Sequence, residues 1–279
     1  MNDEQRAYWN GPTAQRWISQ QERLDRALAP FGSALVDEAE VRPGDRVLDV
    51  GCGCGDTSLA VARLIQPGGT VVGVDLSAPM LARARERGAS LGLENASFVE
   101  ADAATFKAEP PFDRIVSRFG VMFFADPRAA FTHVRALLRS GGRLTFVCWR
   151  EYDENPWSKL PMDVVQSYLP EATIPGMDGS PGPFAFADRQ RVTAILRESG
   201  FEDVVLEPFD AEVCLSPNDL EDAVEFSVQA GPAARALVDV SPEVHEGVRR
   251  GLRQQLSQHR REDGFWLGGA AWMASAAVL

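Results

Sequence analysis

The segment VLDVGCGCGDTSLA, residues 47–60, constrains the fold of this chain more than any other stretch. A short apolar run leads into Gly51-x-Gly53-x-Gly55, and a run with helical spacing follows, with Leu59, Ala62 and Ile65 beside Val61 and Leu64. That order predicts a strand, a tight turn and a helix. Glycines at the turn let the backbone bend sharply and let a ligand come close to it. In an open parallel sheet such turns lie beyond the carboxyl ends of the strands, where ligands bind at the switch point in strand order.

The same alternation continues downstream. Strands are expected at Arg46–Val50, Thr70–Val74, Ala96–Glu100, Arg114–Ser117 and Leu144–Trp149. Between them, Ser77 reads as the N-cap of a helix with Pro79 in its first turn, running towards Gly88 or Leu91. Asp126-Pro127 opens another helix, with Phe131, Val134 and Leu138 on one face and Ser140-Gly141-Gly142 as its stop. Strands alternating with helices of this length imply a parallel sheet covered on both faces. Their Val, Leu, Ile and Phe content suits strands buried on both sides.

Residues 150–187 break the pattern, holding six of the 18 prolines. The stretch is read as neither plain sheet nor long helix but as a lid insertion. A helix over Asp188–Glu198 and a strand over Phe201–Pro208 resume the core. Residues 217–262 are expected to be helical, with starts at Ser216-Pro217 and Ser241-Pro242. In the second of these helices Val244, Val248, Leu252 and Leu256 recur at helical spacing. The apolar stretch 269–278 completes the sheet as a seventh strand. Residues 1–45 read as helices and loops anchored by Trp9, Trp17, Leu24 and Leu28.

Composition narrows the function. The 279 residues are 45% hydrophobic and 24% charged, a globular profile. With 40 acidic and 28 basic residues the net charge is −12, which disfavours a phosphate-backbone partner. Cys52, Cys54, Cys148 and Cys214 form neither a CxxC pair nor a His/Cys cluster, and Cys52 and Cys54 read as small residues suited to a tight turn. The opening residues lack a basic region followed by an apolar run, and no stretch is long enough to span a bilayer. A cytoplasmic protein without a membrane span is expected.

The glycine spacing also discriminates between cofactors. In the dinucleotide fingerprint GxGxxG the last glycine would fall at position 56, where this chain has Asp56. A phosphate loop needs GxxxxGK[ST], and no lysine lies in this region. Asp49, two residues before Gly51, brings a carboxylate near the ligand, which suits cationic groups and not a pyrophosphate. Asp75 ends the second strand, where a carboxylate can accept hydrogen bonds from both ribose hydroxyls. Glu100-Ala-Asp102-Ala follows the third strand, and Phe112-Asp-Arg-Ile-Val-Ser117-Arg118-Phe119 forms the fourth strand and its exit.

In this order the motifs resemble the class I S-adenosylmethionine (SAM)-dependent methyltransferases, and within them the ubiquinone/menaquinone-biosynthesis-like branch. The resemblance is strong over residues 45–150 and looser to the last strand. It implies a Rossmann-like α/β fold, a seven-stranded sheet whose last strand is antiparallel and inserted between the fifth and sixth, with helical cap and lid insertions. Residues 1–45 would lie over the cofactor site, 46–149 would form the SAM-binding core, 150–187 a lid, and 188–279 the rest of the core with a helical cap at 217–262.

The resemblance also implies roles. Asp49 and the turn Gly51, Cys52, Gly53 and Gly55 would surround the methionine part of SAM. Asp75 would hold the ribose, Leu76 and Met80 would lie against the adenine, and Asp102 with Ala103 would meet its amino edge. Ser117 would offer its backbone carbonyl to the methionine amine. Arg118 stands at the mouth, as an ion-pair partner or as an anchor for an acidic substrate. S-adenosylhomocysteine (SAH) would be the product.

Methyl transfer needs an acceptor placed in line with the methyl–sulfur bond and shielded from water. Aromatic faces favour a nearby cation. Tyr8, Trp9, Trp17, Phe119, Phe123, Phe124, Trp149 and Trp157 are the candidates for such a pocket. As general bases, Glu151, Asp153 and Glu154 follow the fifth strand, and His245 and His259 lie in the cap; His133 reads as structural. No carboxylate set suggests a metal site. The expected reaction is methylation of a small, largely apolar acceptor, with a phenolic, quinol or natural-product hydroxyl in first place. N- or C-methylation of a secondary metabolite or peptide, and a carboxylate acceptor, stand beside it. A nicotinamide-dependent oxidoreductase and a non-catalytic SAM-binding protein are the alternatives of other classes.

Overall fold

The computed structural model of the protein describes residues 3–279. Three helices come first: α1 (Asp3–Asn10), α2 (Pro12–Ser19) and α3 (Gln21–Glu38). The alternating core is β1 (Arg46–Val50), α4 (Asp56–Leu64), β2 (Thr70–Asp75), α5 (Ala78–Ser90), β3 (Ala96–Glu100), β4 (Phe112–Arg118), α6 (Pro127–Ala136) and β5 (Leu138–Trp149). Then come α7 (Pro156–Tyr168), α8 (Arg189–Glu198), β6 (Glu202–Ser216), α9 (Leu220–Gln229), α10 (Gly231–Ala236), α11 (Pro242–Leu256), β7 (Arg260–Arg261) and β8 (Gly264–Ala277). No helix of the described residues is long and apolar enough to cross a membrane, and the apolar C-terminal stretch is strand β8.

Among the described residues the strands form one sheet in the order β3-β2-β1-β4-β5-β8-β6, with the two-residue β7 paired to β8. From β3 to β5 every pairing is parallel. β8 lies between β5 and β6 and is antiparallel to both, as the resemblance implied. Leu48 of β1 faces Val72 of β2 on one side and Ile115 of β4 on the other. The chain leaves β1 towards β2 and returns to β4 across it, so the carboxyl end of β1 is the switch point.

Helices cover both faces of the sheet. Phe31 of α3 packs edge-on to Trp149 at 4.9 Å between centroids, and Phe131 of α6 packs on Phe146 at 5.7 Å. Residues 146 and 149 of one strand point to opposite faces, so α3 and α6 lie on opposite sides. Side chains cap the helices where expected: Ser77, Asp126, Asp188 and Ser241 each accept from a backbone N–H of the first turn.

Several expectations need correction. The 150–187 stretch does contain a long helix, α7. Pro156 opens it, where a missing N–H costs nothing, and Pro161 forfeits only the bond to the Trp157 carbonyl. Leu138 does not lie on a helix face: α6 ends at Ala136, and Leu138 opens β5 opposite Phe112. Ser140-Gly141-Gly142 is a bulge in that strand, with the pairing resuming at Arg114 and Arg143. Ser216-Pro217 is not a helix start, because β6 runs through Ser216 and Asp219 is the cap of α9, accepting from the N–H groups of Glu221 and Asp222. β6 and β8 are longer than expected and pair as a ribbon from Glu202–Ala277 to Ser216–Phe265. Pro208 is tolerated there because β6 is an edge strand.

The cap is one unit built from two sequence segments. Helix α7 packs against α10 and α11, and α9 packs against α10 and α11. Glycines allow the close approach of α7 and α11: a Cβ on Gly247 would lie 2.5 Å from Tyr168 Cε1, and one on Gly251 2.8 Å from Val164 Cγ1.

Candidate active site

Gly51 leaves β1 with φ +71°, and a Cβ there would sit 2.8 Å from Gly120 Cα, so the turn admits no side chain at this point. The turn is held by Asp75 at the end of β2. The N–H of Gly53 donates to its Oδ2 at 2.8 Å, and the N–H of Ser77 donates to its Oδ1 at 2.8 Å. Burial pushes the Asp75 carboxyl up, and the hydrogen bonds from Ser77 and Gly53 oppose it. Each carboxylate oxygen keeps a further acceptor position for a ligand hydroxyl.

Asp49 is 1% exposed, and its Oδ2 accepts from Ser58 Oγ at 2.6 Å. Burial pushes its carboxyl up to about 6; the Ser58 hydroxyl and the Arg118 charge pull it down, while Asp75 adds to the rise. Asp102 accepts from the N–H of Ala104 at 2.9 Å. Cys52 and Cys54 are buried and unpaired, and burial pushes both thiols up, Cys54 to about 12. They are protonated small side chains, in keeping with the turn-filling reading.

A cluster of four charged side chains closes over the turn. Arg118 donates to Asp56 at 2.7 Å and lies 3.7 Å from Asp25 of α3. Arg87 of α5 lies 2.8 Å from Asp25 and 3.3 Å from Asp56, and donates to the Cys54 carbonyl at 2.6 Å. Gln21 donates to Asp25 at 2.5 Å. Arg118 is thus an ion-pair partner within the protein. Burial and the neighbouring Asp56 raise the Asp25 carboxyl, and the two arginines and Gln21 lower it.

These elements surround one cavity, with about 1520 Å³ of empty space when its open mouth is included. Asp49, Gly51, Cys52, Gly53, Asp75, Leu76, Met80, Asp102, Ala103 and Arg118 line it, as do Trp9, Trp17, Phe119, Phe123, Phe124, Trp149 and Trp157. Three candidates stand behind the wall. Gly55 caps α4 and packs towards Ala84 and Phe98. Ser117 is fully buried, donating to the Val50 carbonyl at 2.7 Å and accepting from the Gly120 N–H at 3.2 Å, so it fastens β4 to the turn. Tyr8 packs edge-on behind Trp9 and beneath Arg235.

None of the candidate bases reaches the cavity wall. Glu151, Asp153 and Glu154 are exposed; Glu154 pairs with Arg150 and Asp153 with Lys159. His245 and His259 lie outside the wall, and His133 Nε2 is 2.5 Å from the Phe106 carbonyl. Residues the sequence reading missed include Gln21 and Asp25 of α3, Asp56 and Thr57 after the turn, and Phe226, Ala230 and Gly231 of the cap. Gln21, Asp25 and Leu28 form one stripe at helical spacing, and that stripe was the available signal.

The glycine turn, Asp75, Asp102 and Arg118 all fall within one segment. Residues 47–142 match a methyltransferase domain. The chain is similar to aklanonic acid methyltransferase of Streptomyces sp. strain C5, with 36% identity over 121 residues, 43% of this chain and 54% of that one. It is also similar to nocamycin O-methyltransferase of Saccharothrix syringae, with 32% identity over 189 residues, 63% of this chain and 65% of that one. The chain spans about half the length of the curated relatives it matches. In fold the methyltransferase domain and its surroundings are similar to phosphoethanolamine N-methyltransferase 2 of Haemonchus contortus in complex with SAM. That likeness has TM-score 0.54 and 19% identity, over 90% of this chain and 53% of that one.

Proposed function

We propose that the protein is a SAM-dependent methyltransferase acting on a small, largely apolar acceptor, with a phenolic, quinol or natural-product hydroxyl as the group methylated. One observation carries the reading: the cofactor motifs of the methyltransferase domain and an aromatic lobe line the same cavity. The cofactor half fits SAM. Asp75 keeps acceptor positions for the ribose, Leu76 and Met80 offer apolar faces for the adenine beside Asp102 and Ala103, and Asp49 supplies an anionic group for the methionine amine. Gly55 and Ser117 shape the turn from behind.

When bound, SAM would supply an activated methyl group for the acceptor oxygen, with SAH and the hydroxyl's proton as the other products. The chain's own part is positioning and exclusion of water. Trp9, Trp17, Phe119, Phe123, Trp149 and Trp157 wall the reacting space, and aromatic faces favour a sulfonium. No His or Lys lines the cavity among the described residues, and the carboxylates that do line it hold the turn or belong to the ion-pair cluster.

The relatives named for aklanonic acid and nocamycin methylation support a natural-product acceptor. The cap formed by α7 and α9–α11 is the lid in this reading, and the unpaired cysteines suit the reducing cytoplasm. Label transfer from methyl-labelled SAM onto a panel of hydroxyl, amine and carbon acceptors tests the proposal. Incorporation into a hydroxyl acceptor supports it. Binding of SAM with no transfer to any member contradicts it in favour of a non-catalytic protein, and transfer confined to amines or carbon moves the reaction class.

A further inference from the structure

The acceptor side of the cavity has a built aromatic wall. Phe119 and Trp149 stack with centroids 4.0 Å apart and planes 13° apart, and Trp157 lies 4.8 Å from Trp149 with its plane tilted by 41°. All three line the cavity. Trp157 belongs to the cap, as the second residue of α7.

Its ring is held in place. The indole N–H donates to Asn155 Oδ1 at 3.1 Å. Asn155 is fully buried and is itself clamped to β8: Oδ1 accepts from the Ala270 N–H at 2.9 Å, and Nδ2 donates to the Ala270 carbonyl at 3.1 Å. Behind the ring, Gly231 has φ +64°, and a Cβ there would lie 2.9 Å from Trp157 Cζ3. A side chain at position 231 would push the indole, so glycine sets where the wall stands. A rotamer fixed from two sides is expected of a surface that selects shape, not of a loose apolar filler.

Charge restricts the occupant further. Asp25, Asp49, Asp56, Asp75 and Asp102 all line the cavity, and Arg118 is the one cationic side chain among the described lining residues. Arg118 is already paired with Asp56 and Asp25. A carboxylate or phosphate entering here would be desolvated without a free counter-charge.

We propose that the acceptor is an uncharged, planar fused-ring hydroxyl compound that stacks on Trp157, with Asn155 and Gly231 as the residues that position this platform. The proposal rests on the methyltransferase reading and names its substrate class. It predicts that ring planarity and neutrality, more than apolar bulk, govern binding.

The test uses the full chain and calorimetry. SAH is titrated first, and its binding reports on the methyltransferase reading alone. The SAH-loaded protein is then titrated with 2-naphthol, with its saturated, non-planar analogue decahydro-2-naphthol, and with 2-naphthoate. The expected result is that 2-naphthol binds about tenfold more tightly than either competitor, the size of one stacking contact. Trp157→Leu is expected to erase that preference and Trp157→Phe to keep most of it, each titrated at saturating SAH. Gly231→Ala is expected to raise the KM for 2-naphthol several-fold with kcat little altered. Equal or tighter binding of the saturated alcohol or of 2-naphthoate overturns the proposal. So does intact SAH binding with no binding of 2-naphthol. Failure of SAH to bind overturns the methyltransferase reading and this proposal with it. The three-ligand comparison on the unaltered protein decides the matter even if a Trp157 variant does not fold.

Discussion

The backbone N–H of Gly53 donates to the Asp75 carboxylate at 2.8 Å, so the glycine turn and the second strand share one anion. The carboxylate does two things: it holds the turn in shape, and it faces the cavity where the ribose would lie. Asp75→Ala leaves the N–H groups of Gly53 and Ser77 without their partner. Stability should fall by roughly 1–3 kcal/mol, and SAH affinity should fall by more than tenfold. Urea denaturation and calorimetry on the same variant measure both. A variant that loses stability but keeps SAH affinity would confine Asp75 to a structural role.

The cluster of Asp25, Arg87, Arg118 and Asp56 joins α3, α5, the end of β4 and the start of α4. Arg118 is the most shielded member, with its side chain 13% exposed against 33% for Asp56. Removing one partner of such a pair leaves an uncompensated charge, so Arg118→Leu should destabilise by about 2–4 kcal/mol. Asp56→Asn in the same chain should recover part of that loss, because it removes the charge left alone. A double-mutant cycle in urea should therefore show coupling, whereas simple additivity would show that the pair contributes nothing specific.

Asp49 makes stability depend on pH. Its carboxyl stands at about 6 in the folded protein against 3.8 as the reference value for the unfolded chain. The folded state therefore holds the proton more tightly. The stabilisation is fully present below about pH 4 and is lost as pH rises to about 6, a change on the order of 3 kcal/mol. Asp75 and Asp25 are shifted in the same direction. Asp49→Asn has no such dependence at this position, so its stability relative to the unaltered protein should improve between pH 4 and pH 7.5. Denaturation curves at the two pH values check the sign. Improvement in the opposite direction would show that Asp49 is held as the anion.

Asn10 ties α1 to the core next to the cofactor half of the cavity. Its Nδ2 donates to the Leu76 carbonyl at 2.8 Å, and its Oδ1 accepts from the Ala78 N–H at 3.1 Å. Trp9, its neighbour, lines the cavity and packs edge-on against Trp17 and Phe123. These hydrogen bonds are exposed, so Asn10→Ala should change global stability by less than about 1 kcal/mol. It should still speed SAH dissociation several-fold, because the helix carrying Trp9 is less firmly seated. Stopped-flow displacement measures this, and an unchanged dissociation rate would remove α1 from the cofactor's path.

The core was legible because its signals are local. Strand β1, the turn after it, and the caps Ser77 and Asp126 each depend on a few adjacent residues, and they stand where the pattern placed them. Long-range effects hid the rest. Leu138 carries helical spacing but is taken into β5 by pairing with Phe112. Helix α7 survives two prolines because Pro156 stands at its first position and Pro161 gives up only one backbone hydrogen bond, positional facts that proline content conceals. Asp25 and Gly231 reach the cavity only through the packing of α3 and the cap over the sheet. Ser117 fell outside the wall because its strand places Arg118 and Phe119 at the rim instead.

The most direct test of the account is a calorimetric titration of the purified protein with SAM and SAH, with NADH as the control, repeated on Asp75→Ala. SAM and SAH are expected to bind in the micromolar range at one site per chain, NADH is not, and Asp75→Ala should abolish or severely weaken binding. Binding of NADH alone, or of neither SAM nor SAH, would contradict the account.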